Sequence, residues 1–131
     1  MRFQALARFV LAVSLWSVAA CMVAPSGVPG RVVSDLDRRF HLSRVGSSGS
    51  DILYRGALRD LRPDQFLEEL RGDGWRVAYA EYADIPLSTH YSVAPKKGDY
   101  VASKSWPEED GRITILLEPD NTLYVYYFYS N

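Results

Sequence analysis

Two runs of strand-forming residues, 113–117 and 122–128, flank a central turn, which restricts this chain to a fold built on an antiparallel sheet. Glu118, Pro119, Asp120, Asn121 and Thr122 suit a three-residue connection. Proline presets the first turn position, Asp follows, and Asn tolerates the left-handed backbone that closes such a turn. Pairing Glu118 with Thr122 places Leu117 opposite Leu123, Ile115 opposite Val125 and Ile113 opposite Tyr127 on one apolar face. A slip of one residue would turn that whole set away from the core. The other face then carries Arg112, Thr114, Leu116 and Glu118 beside Phe128, Tyr126 and Tyr124.

That second face has two readings. A helix, a loop or an N-terminal tether covers it, since aromatic residues are favoured in strands anyway. Alternatively it is an open platform, because tyrosine joins apolar area to a hydroxyl and loses little entropy on binding. Tyr124, Tyr126 and Phe128 are therefore candidate binding residues, and Trp106 is a fourth.

Upstream, residues 63–71 read as a helix, with Pro63 at the first position, Asp64 at the positive end of the dipole and Gly72 and Gly74 as a stop. The helix presents Phe66, Leu67 and Leu70 to a core. Trp75, Val77 and Tyr79 alternate with Arg76 and Ala78, the period of a strand. Tyr91 and Val93, a turn at residues 95–98, then Tyr100 and Ala102 predict a further hairpin. Ser34 followed by Asp37 resembles the start of a short helix, residues 43–50 a Gly and Ser loop, and residues 51–58 a strand. The expected fold is α+β, a small antiparallel, Tyr-rich sheet of about four or five strands with one main helix packed on one face.

The N-terminal end carries Arg2 and Arg8, then an uncharged apolar run over residues 9–20, closed by Val18, Ala19, Ala20 and Cys21. A run of twelve residues falls short of the roughly 20 that a helix needs to cross a bilayer, whereas basic residues followed by such a run and small residues make a secretory signal. Cys21, the chain's single cysteine, stands at the position that resembles the lipid attachment site of bacterial lipoproteins. That resemblance implies diacylglyceryl transfer to the Cys21 thiol, cleavage before Cys21 and acylation of the new amino group. With Met22 rather than Asp next in the chain, it also implies an outer-membrane, periplasm-facing destination. Residues 1–20 then form the signal, 21–30 a lipid-anchored tether rich in Pro and Gly, and 31–131 a single domain.

Loss of the signal removes Arg2 and Arg8 and moves the net charge from −1 to −3. With bases scattered among acids, no basic stripe is available for nucleic acid. His41 and His90 stand in no recognised metal or nucleophile pattern, and neither a Gly-x-Ser-x-Gly elbow nor a Ser-x-x-Lys pair occurs. Glu108, Glu109 and Asp110 lack the alternating Asp-x-Asp spacing of a calcium loop; they and the pair Glu81 and Asp84 read as solvated acids rather than catalytic carboxylates. No cofactor or metal is expected. The expected function is a non-enzymatic, membrane-anchored envelope module that binds a protein partner in assembly, secretion or inhibition. The alternative is a peptidoglycan or glycan binder stacking sugars on Tyr124, Tyr126 or Trp106, and a small cell-wall hydrolase is the weakest reading.

Overall fold

The C-terminal hairpin forms in the register that its turn dictates. In the computed structural model, which describes residues 26–81, 87 and 91–129, Ile113, Ile115 and Leu117 face Tyr127, Val125 and Leu123 respectively. Asn121 closes the turn at φ 71°, with its N–H on the Glu118 carbonyl at 3.0 Å. These strands, β5 (Gly111–Leu117) and β6 (Thr122–Tyr129), are the centre of a larger sheet.

In chain order the elements are α1 (Gly27–Phe40), β1 (Ser43–Ser47), β2 (Asp51–Ala57), α2 (Pro63–Gly72), β3 (Arg76–Tyr79), β4 (Tyr100–Trp106), a 3-10 turn (Pro107–Glu109), β5 and β6. The strands assemble in the order β1-β2-β6-β5-β4-β3, with every neighbouring pair antiparallel. The fold is thus α+β as expected, but with six strands rather than four or five and two helices rather than one main one. Phe40, Phe66, Leu70 and Trp75 pack against Ile113, Ile115, Val125 and Tyr127 to form the core, so both helices lie on the apolar face of the sheet.

α2 matches its local signals, burying Phe66, Leu67 and Leu70. α1 departs from them. It begins at Gly27, inside the stretch read as tether, and Ser34 is an exposed residue within it rather than its cap. Pro29 sits in the first turn, where a missing N–H costs no helical hydrogen bond, and it extends the buried stripe of Val33, Leu36 and Phe40 back by one turn. Ser26 supplies no side-chain cap. Instead the carboxylate of Glu109 accepts the Val28 N–H at 3.1 and 3.2 Å.

β1 occupies part of the expected Gly and Ser loop. It is a mostly exposed edge strand with a bulge at Val45, and burial supplies little apolar alternation for a sequence to display. The hairpin expected between residues 91–93 and 100–102 does not form. β4 pairs instead with β3, Tyr100 opposite Tyr79 and Ser103 opposite Arg76. Tyr91 and Val93 belong to the connection between those strands, although the turn at its end is present, with Gly98 at φ 100° and the Asp99 N–H on the Lys96 carbonyl at 3.0 Å. A three-residue alternation was outweighed by a longer ladder available to β4 on a strand formed much earlier in the chain.

Candidate binding surfaces

The four sequence-predicted binding residues separate onto two sides of the sheet. Tyr126 is only 7% exposed. Its hydroxyl donates to Asp51 Oδ2 at 2.8 Å, while Tyr91 Oη and Ser48 Oγ donate to Asp51 Oδ1 at 3.3 and 2.5 Å. Asp51 is itself 1% exposed, so these hydroxyls supply what water would otherwise give a buried carboxylate. Tyr91 meets Tyr126 edge to face, with ring centroids 6.5 Å apart, and passes so close to Gly46 that a Cβ there would lie 2.5 Å from its ring. Tyr91, in the β3–β4 connection, therefore covers the middle of the aromatic face. Burial, followed by the charge and hydrogen bond of Asp51, pushes the Tyr91 hydroxyl above its ordinary pKa of 10.0.

Tyr124 is half-buried, with the Arg55 guanidinium 5.9 Å from its ring. Phe128 stacks beside Tyr126 and is 37% exposed at the end of the strand. Trp106 lies on the other side of the sheet, facing the helices. It meets Trp75 edge to face at 6.0 Å, with Lys104 Nζ 5.5 Å from its ring.

Trp106 belongs to a groove of about 290 Å³ between the two helices. α1 contributes Val28, Val32, Leu36 and Arg39, one stripe at helical spacing; α2 contributes Phe66, Glu69 and Leu70, another, with Asp73 just past its end. The antiparallel helices close the groove at one end, where Arg39 pairs with Glu69 at 2.9 Å and Phe40 meets Phe66 edge to face at 5.2 Å. At the other end Lys104 Nζ bonds the Asp73 carbonyl, and Trp75 and Trp106 form the floor. Apolar walls with a few fixed polar groups at the rim suit an apolar side chain flanked by hydrogen-bonding groups.

Comparison with family models, curated proteins and solved structures finds no match. Among the described residues no cluster of three or more His, Cys, Asp or Glu is placed to hold a metal, and no helix is long and apolar enough to cross a membrane. His41 ends α1 in the left-handed conformation, its N–H on the Asp37 carbonyl at 2.8 Å. Glu109 caps the same helix at its start. Glu81, Glu108 and Asp110 are exposed, while Cys21, Asp84 and His90 lie outside the described residues. Sequence reasoning singled out Trp106 but missed its groove partners Trp75, Lys104 and the Val28–Val32–Leu36 stripe. The spacing of that stripe was visible, but only to a reading that started the helix at Gly27.

Proposed function

We propose that this protein is a lipid-anchored bacterial envelope module, attached through Cys21 and facing the periplasm from the outer membrane, that acts without catalysis by binding a partner protein in the groove between α1 and α2. The observation that carries the binding site is the Trp75–Trp106 pair flooring a groove with a charged rim. Aromatic anchors in partly dehydrated pockets dominate protein recognition, and the groove accepts a single large apolar residue of a partner with polar neighbours for Arg39, Glu69 and Asp73. With Tyr126 buried, half-buried Trp106 offers a partner more accessible ring than the middle of the aromatic face does.

A photo-reactive side chain placed at Asp73, on the lip of the groove, tests this in living cells. The expected result is a discrete protein adduct that Trp106→Ala abolishes while circular dichroism stays unchanged. Only internal crosslinks, or an adduct indifferent to Trp106→Ala, would reject the groove. Co-sedimentation with purified peptidoglycan that Trp106→Ala abolishes would replace the protein partner with a glycan.

A further inference from the structure

The start of α1 is clamped to one end of the sheet. The Glu109 carboxylate on the β4–β5 turn holds the Val28 N–H, and the Cβ position of Pro29 lies 3.4 Å from where a Cβ would stand on Gly111, the first residue of β5. Only Met22 to Ser26, five residues, separate Cys21 from α1, and the six residue steps from Cys21 to Gly27 span at most about 20–22 Å when fully extended. A lipid on Cys21 therefore keeps this end of the domain, rather than the β5–β6 turn at the opposite end, close to the bilayer.

The same end exposes a set of side chains on the face away from the helices. Arg112 stands directly between Ser105 and Phe128 across the neighbouring strands, and Arg76 stands opposite Ser103. Arg76, Ser105 and Arg112 are exposed, as is Phe128. Sheet spacing and strand rise put the two arginine Cα atoms about 12 Å apart. Neither arginine has an ion-pair partner among the described residues. This patch lies outside both the groove and the part of the face under Tyr91.

We infer that this end of the domain rests on the phospholipid surface, with Phe128 at the interface and Arg112 and Arg76 on headgroup phosphates. The inference rests on the anchored reading of Cys21. A ring flanked by a guanidinium suits the boundary between acyl chains and headgroups, and arginine pairs with phosphate through a planar fork of donors. Glu108 and Asp110 stand at the same end, so the contact depends on ring insertion and direct phosphate pairing rather than on a net positive field. The mouth of the groove, at Val28 and Asp73, then opens near the membrane, and its partner is itself a membrane-proximal protein.

The test uses the full chain purified from membranes and reconstituted into vesicles of phosphatidylethanolamine and phosphatidylglycerol with brominated acyl chains. An environment-sensitive fluorophore is placed at Phe128→Cys or Ser105→Cys, with Asp120→Cys on the β5–β6 turn as the reference. The expected result is blue-shifted, bromine-quenched emission at 128 and 105 and a water-like, unquenched signal at 120. Equal, water-like emission at all three positions on a chain whose mass carries the acyl groups would overturn the orientation alone. A mass without acyl groups would overturn the anchored reading and the orientation with it.

Discussion

The carboxylate of Glu109 caps a helix from far along the chain, accepting with both oxygens the N–H of Val28, 81 residues earlier. Gly27 permits the approach, because it adopts φ 64° and any side chain there would run into that carboxylate. An acid that reads as merely solvated in the sequence thus satisfies an orphaned donor at the positive end of α1.

Glu109→Ala should destabilise the domain by about 1 kcal/mol, the usual worth of a helix cap, with Glu109→Gln costing less because the amide oxygen still accepts the N–H. Urea midpoints of the two variants check this. Equal stability of Glu109→Ala and the parent would show that α1 needs no cap from the β4–β5 turn.

Tyr126→Phe removes a hydroxyl that donates to buried Asp51 at 2.8 Å. The expected loss is about 1–3 kcal/mol, the range for taking a partner from a buried charged group. Tyr91→Phe should cost less, its bond being 3.3 Å. A double-mutant cycle read by chemical denaturation should give a coupling between the two that differs from zero, since both hydroxyls serve one carboxylate.

Gly46→Ala should loosen the β3–β4 connection. The added methyl would stand 2.5 Å from Tyr91 Cε1, and because Gly46 is directly opposite Leu53 in the sheet, the ring must give way before the strand does. Faster proteolysis between β3 and β4, with the rest of the chain resistant, is the expected readout.

Stability should fall on the alkaline side. Burial raises the hydroxyls of both Tyr91 and Tyr127 above the ordinary 10.0, helped by Asp51 for the first and by Tyr129, Glu109 and Tyr54 for the second. A raised folded value favours the protonated form, so this stabilisation is complete below pH 10.0 and disappears as the pH climbs through the folded values. The hydrogen bond to Glu118 likewise raises Lys96 above 10.5, adding a loss in the same direction. Tyr91→Phe and Tyr127→Phe should each flatten the alkaline limb of stability against pH, and Lys96→Met should flatten it from the value of 10.5 upward. An unchanged slope in all three would contradict these assignments.

The hairpin, its register and α2 were legible because their causes are local. Pro119, Asp120 and Asn121 specify a turn wherever they stand in this order, and an alternation of seven residues on each side leaves one way to bury Ile113, Ile115, Val125 and Leu123 together. Pro63 and Gly74 likewise mark the ends of α2 within a dozen residues. Trp106 was legible as a candidate, but its groove was not, since Val28, Leu70 and Trp75 join it only after two helices lie side by side.

By itself the sequence determined the apolar face, the turn that registers it and one helix to cover it. Tertiary structure alone decided where α1 begins, which strand β4 joins, that β1 is a strand and that Tyr126 is inside rather than out. Each of those outcomes depends on a partner outside the segment itself, next along the chain for β1 and far from it for the others. Glu109 supplies the cap for α1, β3 the ladder for β4, β2 the hydrogen bonds of an otherwise polar edge, and Tyr91 the cover over Tyr126. Propensity and periodicity record what a residue's neighbours in sequence require, whereas these contacts exist only once the chain has closed on itself and their burial outweighs the local preference.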